Sequence, residues 1–437
     1  MNSRTMILGM LTTGVASAAL ATPVIPADSV SVAQNASHLV TVTYQLGDDQ
    51  NREPAIVTVD FETNVTGTAA GPWVSIGERN FRNVQGFVNK AVEPGVRTIT
   101  WNPSKSWPDQ VISAGNFRAK VKAWAKTCPP DYMAVNLALP MINYYTGTNA
   151  LPFDIGDDIC RKDILLMRKI PAAGVEWRMG SPTGEKGREP STACVGMETT
   201  HYVSLSDDFY MGVFPITQWQ YLRIMGLDVT VLSNPLEPRT ELSYNRIRYG
   251  ADTTTGVTGS GKAWPKDKGV NEESMLYKLR KLSGIDSFDL PTSAQWEFAC
   301  RAGTSSALYT GKELASASPN TNIEDVNLND IAWYAFNTKA AGFPDRVGLK
   351  QPNAWGLYDM YGLVYEWCLD YARTSWNANE TNPEGPEEGT ERFQVGGVNN
   401  DVPARCRSAF RMNRAPSMSL GGYKLFGCRV KCAAVAP

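Results

Sequence analysis

A period of two governs the first third of this chain. Between Ser29 and Val135 the stretches HLVTVTYQL, AIVTVDFET, RTITWNP and FRAKVKAWA alternate β-branched or aromatic residues with polar ones. That alternation puts apolar side chains on one face of a strand and leaves the other face to solvent. Turn-forming stretches such as GDDQNREP and NPSKSWPD separate the runs. Roughly seven short strands in about 105 residues are therefore expected to close into a two-sheet sandwich of immunoglobulin or fibronectin type, over residues 28–136. Such a sandwich implies no activity of its own, and it reads as a spacer or docking module.

A connector of mixed character, residues 137–163, precedes a change of texture. From 164 to 434 there are few long periodic runs and many Gly and Trp residues. With 37 Gly and 27 Pro in the chain, a loop-rich, aromatic-packed domain is expected rather than a helical bundle. Two helices stand out. In TQWQYLRIMG, Thr217 can cap while Trp219, Leu222 and Met225 recur at helical spacing. In TSAQWEFACRAG, Thr292 and Gln295 form a capping-box pattern and Gly303 is a C-terminal stop. Both are expected to be amphipathic.

The 42 basic and 44 acidic side chains leave a net charge of −2, which gives no electrostatic footprint for a nucleic acid or an anionic membrane. The opening MNSRTMILGMLTTGVASAALATP has Arg4, an apolar stretch from Met6 and a small-x-small site at Ala19–Ala21. It reads as a signal peptide over 1–21 cleaved after Ala21, so the mature chain would be secreted or periplasmic and meet a membrane only at export. All eight cysteines would remain, an even number in a compartment where disulfides persist, so structural bridges are their expected role. His38 and His201 are the only histidines, far apart and flanked by strand-like residues, which excludes a histidine-rich zinc or iron site. No GxSxG elbow, Walker or Rossmann glycine pattern is present, and TGSGK at 258–262 reads as an exposed loop.

Four stretches in order resemble the formylglycine-generating enzyme, or sulfatase-modifying factor, family: VEWRMGSP with THYVSLSDDFYMGVFPITQWQYLRIMG, then LPTSAQWEFACRAGT, then PNAWGLYDMYGLVYEWCLD, and finally NPEGPEEGTERFQVGG through CRSAFR to GCRV. The resemblance implies an α+β, C-type-lectin-like domain with little regular secondary structure, here behind an all-β sandwich. Active members oxidise a sulfatase cysteine to formylglycine, using oxygen and a copper ion held by two cysteines of the closing segment. Soft Cu(I) calls for thiolate ligands. The equivalent stretch here, GGVNNDVPAR, has no cysteine between Gly397 and Arg405; Val398 replaces the family's Ser and Tyr365 a Trp. Copper is therefore not expected and no catalytic residue is assigned. A non-catalytic lectin-like binding module follows, the alternative being a copper-dependent oxidoreductase acting on a sulfatase.

Cys406 with Cys428 as a replacement copper site would need both thiols reduced, against the oxidised state expected of an exported chain. By the resemblance, Cys300 pairs with Cys432 and Cys368 with Cys406, leaving Cys128, Cys160, Cys194 and Cys428 unassigned. The family also implies a structural calcium ion held by the Asp359 and Glu366 side chains and the Gly362 and Val364 carbonyls, all hard oxygen donors, with Asn322 and the Ile323 carbonyl contributing to a second site. Alternatively, Asp359 and Glu366 cap a turn or pair with an arginine such as Arg411. Finally, the closing segment resembles the variable regions of retroelement-diversified members of the family. That makes Asn399, Asn400, Asp401, Arg405, Phe410, Asn413, Met418 and Tyr423 candidate contacts to an extracellular or periplasmic protein or glycan; the alternative is a plain polar loop.

Overall fold

The computed structural model describes residues 22–47, 53–64, 72–77, 83–107, 112, 116–251, 263–338, 345–418 and 425–437. The signal peptide over 1–21 and Tyr423 lie outside the described residues.

The alternating stretches form antiparallel strands. One sheet runs Ser31–Gln34, Val40–Leu46, Gly95–Trp101, Gln85–Gly86; in the other, Ala55–Asn64 pairs with Trp73–Ser75, Ala91–Val92 and Phe117–Trp124. Val40, Val42, Tyr44 and Leu46 are buried while the residues between them are half-exposed, as the period requires. Both sheets contribute to one apolar cluster, at whose centre Phe61 stacks on Trp101 at 4.7 Å between ring centroids.

The strand Tyr132–Asn136, placed by its sequence at the end of the sandwich, belongs elsewhere. A five-stranded antiparallel sheet has the order Met141–Tyr145, Tyr132–Asn136, Ile164–Ile170, Phe209–Gly212, Lys431–Ala433. The first two strands come from the end of the expected sandwich and from the expected connector. Tyr132 to Val135 are all buried, because this strand is interior and covered on both faces. The second large sheet runs Arg411–Arg414, Arg392–Val395, Tyr365–Tyr371, Phe426–Gly427, its last pair parallel.

Four α-helices occur among the described residues: α1 Gln218–Met225, α2 Tyr244–Tyr249, α3 Met275–Ser283 and α4 Ser293–Arg301. Both expected capping boxes form, Thr217 with Gln220 and Thr292 with Gln295. α4 is not amphipathic, since all its residues except Gln295 are buried. Its stop is Ala302, in the left-handed region at φ 45°, one residue before the expected glycine.

Burying α4 on every side is possible because its polar groups are paired. Glu297 accepts from Arg301 and from the Gly180 amide, and it pairs with Arg411. Trp296 donates its indole N–H to Glu366 at 2.7 Å. Glu366 is also gripped by Arg429 at 2.9 Å, and the Arg429 guanidinium donates to the carbonyls of Gly212, Val213 and Tyr358. The Arg407 guanidinium likewise holds Glu198 at 2.8 Å and pairs with Glu185. A buried ion pair is worth little against a well-packed apolar pair, but losing one partner strands a charge. Arg429→Met is therefore expected to cost about 3–5 kcal/mol by urea unfolding, and adding Glu366→Leu to recover most of it; a double variant no more stable than the single one would contradict this account.

Candidate functional site

The closing segment turns at Gly396 and Gly397, both left-handed at φ 86° and 77°. A β-carbon on Gly397 would lie 2.7 Å from the Arg405 carbonyl oxygen, so the chain can fold back on itself only with glycine there. The turn returns as a short loop organised by Asp401, whose carboxylate accepts from the Val398 amide at 3.1 Å and from Arg405 at 2.9 Å. Its carbonyl accepts from the Ala335 amide, which brings the exposed ring of Phe336 to the rim.

Beneath this loop polar groups are buried without partners. Asn399 is fully buried, its amide N–H donating to the Leu363 carbonyl at 3.4 Å, yet both polar atoms of its side chain lack a hydrogen bond. The Tyr365 hydroxyl and the Arg405 Nε are in the same condition. Tyr365 faces the Asp401–Arg405 pair without reaching hydrogen-bond geometry; burial first, then the Asp401 charge, push its phenol well above the usual tyrosine range. Burial also raises the Asp401 carboxyl, with Arg405 opposing. Each such orphan costs free energy, about 1–3 kcal/mol in general. In native proteins such a group goes with a functional role or with a buried water that satisfies it.

Of the expected contact residues, Asn399, Asp401 and Arg405 come together here and Asn400 is exposed beside them. Phe410 is a correction: it is fully buried in the apolar core, its ring 6.4 Å from that of Tyr365. Asn413 is tied to Glu391, and Met418 packs partly buried against the core. Two residues that the sequence did not single out belong to the region. Gln394 is fully buried with both side-chain polar atoms unpartnered, and Phe336 is the exposed rim aromatic. A glutamine inside the apolar alternation of RFQV was the available signal for the first; nothing local marks the second.

The calcium set divides. Asp359, itself left-handed at φ 56°, accepts from the Gly348 amide at 2.6 Å through one oxygen and keeps the other buried and unpartnered. Burial pushes its carboxyl up to about 6, with the Gly348 hydrogen bond and Arg429 opposing. That orphan oxygen fits a hard cation. Glu366 does not fit, because Arg429 and Trp296 already hold both its oxygens. The arginine partner is Arg429, not Arg411. The Gly362 carbonyl accepts from the Val364 amide. Asn322 and Ile323 are exposed, on the loop before Asp325, whose carboxylate serves the Ser316 and Asn327 amides. No group of three or more His, Cys, Asp or Glu side chains among the described residues is arranged to hold a metal.

Neither expected disulfide is present; all eight cysteines are free. Cys300 and Cys432 lie in different core clusters. Cys368 and Cys406 share a cluster without a bond. Burial pushes the Cys300 and Cys432 thiols up to about 12 and the Cys406 and Cys428 thiols up as well. Such thiols are poor nucleophiles and poor metal ligands.

The sheet-rich, helix-poor domain with its terminal glycine turn defines a class, and the comparison with protein families names it. Residues 173–430 match the sulfatase-modifying factor enzyme 1-like domain. The chain belongs to this family. It is 35% identical over 141 residues to the formylglycine-generating enzyme of Thermomonospora curvata, covering 30% of this chain and 45% of that one. It is 32% identical over 201 residues to the Bos taurus enzyme of the same name, covering 44% of each. The chain thus spans less than half the length of these relatives. Among solved structures, Treponema denticola variable protein 1 aligns at a TM-score of 0.44 with 20% identity, covering 64% of this chain and 98% of that one.

His201 opens the strand His201–Leu205 and is buried. Its ring stacks on Trp376 at 4.5 Å, and its Nε2 has no partner. Burial is the main cause holding its pKa below the ordinary value; Arg411 acts in the same direction, while the Thr199 carbonyl, Glu380 and Glu297 oppose. Unfolded, this histidine titrates near about 6.5, so below that pH the unfolded chain binds the extra proton and stability falls. His201→Phe keeps a ring against Trp376. It should reduce the loss of unfolding free energy between pH 7.5 and 5.5 relative to wild type; identical losses would remove His201 from the acid limb.

Proposed function

We propose that the chain is an exported, non-catalytic member of its family, a lectin-like module that binds a protein or glycan through the loop from Val398 to Arg405. The observation that carries this reading is a set of buried atoms without a hydrogen bond, both polar atoms of the Asn399 side chain, the Tyr365 hydroxyl and the Arg405 Nε, beside the Asp401–Arg405 pair. It lies where the resemblance places a copper-binding cysteine pair, and no residue from 398 to 405 is a cysteine. Donors and acceptors buried without partners are suited to a ligand that brings its own, while the exposed Phe336 and the half-exposed Arg405 offer contact area of the kind interfaces favour. The N-terminal sandwich, read as immunoglobulin-like, would serve as a spacer for this module.

Calcium enters as a stabiliser. Where it binds, the Asp359 oxygen left unpartnered is its ligand, the Gly362 and Val364 carbonyls are the further donors that the resemblance implies, and Glu366 stays with Arg429. Copper has no thiolate pair to hold it in the loop.

The deciding measurement is a Cu(I) titration of the purified chain beside an assay on a Cys-x-Pro-x-Arg peptide. The expected result is no stoichiometric copper uptake and no formylglycine; turnover of the peptide would replace the binding reading with a sulfatase-directed oxidoreductase. On a glycan array, Asn399→Leu and Arg405→Ala should lose the signal of the wild-type chain while keeping its Tm, and loss only through unfolding would count against the loop. Added calcium should raise the Tm of wild type but not of Asp359→Asn, whereas Glu366→Gln should respond to calcium as wild type does. N-terminal sequencing of the exported chain should begin at Thr22.

A further inference from the structure

A cleft of about 700 Å³ opens away from the glycine turn, between the segment after the sandwich, the start of α4 and the edge strand Lys431–Ala433. Its volume is that of a small-molecule site. Phe209 and Trp264 give it apolar surface; Asp207, Asp208, Glu384, Gln295 and Lys431 give it polar surface.

Lys431 is the unusual member. Its backbone is fixed twice over, pairing with Met211 in the sheet and exchanging two hydrogen bonds with Asp289. Its stem is partly buried, and its ammonium has no hydrogen bond or ion pair among the described residues. Asp289, an acid whose charge bears on it, already serves Arg248 at 3.2 Å and Arg280 at 3.3 Å. Lys268, the other neighbouring cation, is paired with Glu384. Lys431 is therefore left without a counter-ion of its own. Burial holds its pKa below the usual lysine range despite Asp289, as an uncompensated cation requires.

The other polar groups of the cleft narrow the ligand. Gln295 accepts from the Thr292 amide through its oxygen, which leaves its Nε2 as a free donor. The Asp208 carboxylate already accepts from the Ala172 and Ala173 amides, and Glu384 has Lys268, so the carboxylate with no partner is the exposed Asp207. One cation and one amide donor match the two oxygens of a carboxylate. A phosphate dianion would meet three rim carboxylates with a single lysine to offset them. The open Asp207 suits an ammonium at the far end of the same molecule.

We propose that this cleft binds the carboxylate end of a short zwitterionic molecule, an amino acid or small peptide, with Lys431 as its anchor and Asp207 facing the ammonium. The site is independent of the loop at Asn399, so its failure would leave the binding reading of that loop untouched.

Calorimetric titration of the full chain with triglycine, triglycinamide and N-acetyltriglycine tests it. Triglycine should bind, and triglycinamide should bind about tenfold or more weakly, the loss of a charge-assisted contact. Lys431→Met should abolish the difference between the two; because it removes a cation with no ion pair among the described residues, its Tm should not fall, which separates lost binding from lost fold. Absence of triglycine binding, indifference to amidation, or full binding by Lys431→Met would overturn the proposal. N-acetyltriglycine should be weakened in wild type but not further weakened in Asp207→Asn, and equal binding of the acetylated and free peptides would overturn the zwitterionic assignment.

Discussion

The domain hangs on the buried pair of Glu366 and Arg429. Glu366 stands on the strand Tyr365–Tyr371 of one sheet, and Arg429 lies between the strands Phe426–Gly427 and Lys431–Ala433, which belong to different sheets. Arg429 donates to Gly212 and Val213 at the end of another strand and to Tyr358, while Trp296 brings α4 onto the same carboxylate. Both charges are out of water, so the desolvation cost is large, and only the near-complete set of hydrogen bonds offsets it. In this seating of the closing segment every nitrogen of the guanidinium is satisfied. Arg407 and Arg411 repeat the device along the same segment, seating on Glu185 with Glu198 and on Glu297.

That dependence explains which parts of the fold were legible in the sequence. Local rules were readable: the period-two strands of the sandwich and both capping boxes follow from near-neighbour chemistry, and they formed as that chemistry requires. Long-range pairing was not. YMAVN reads as one more strand after FRAKVKAWA, yet its partner is Ile164–Ile170, a choice made by burial on two faces that no local pattern records. Likewise Glu366 invited an arginine partner, but the sequence offered several, and only the strand register selects Arg429 over Arg411. α4 looked amphipathic because Glu297 and Arg301 are charged; they are interior because each meets its opposite.

The candidate site was legible in part for the same reason. The resemblance of the closing segment to diversified family members marked eight residues, and three of them, Asn399, Asp401 and Arg405, converge in the loop. Whether a given side chain points up or down was settled by packing: Phe410 turned into the core beside Tyr365, and Asn399 turned inward without a partner. The cysteines misled through their number. An even count, in a chain expected to be exported, predicts bridges, but each thiol from Cys300 to Cys432 sits in the core, where a small apolar side chain is what packing needs.

The segment from Phe426 to Ala433 then carries more than structure. At one end Phe426 packs near Tyr365 beneath the glycine-turn loop, with ring centroids 6.2 Å apart. At the other end Lys431 enters the cleft beside α4. Arg429 pins the middle, so neither end can shift along the strand without pulling a buried guanidinium off six hydrogen bonds to five acceptor atoms and leaving Glu366 with only the Trp296 indole. Rigid support of this kind lets polar side chains be held without partners, since the chain cannot relax to pair them. The orphaned amide of Asn399 and the unpaired ammonium of Lys431 are two local costs tolerated by one well-satisfied ion pair. A fold that loosened Arg429 would be free to bury Lys431 against Asp289 or to turn Asn399 out to water, and both places would lose the unmet hydrogen-bonding capacity from which ligand binding is proposed.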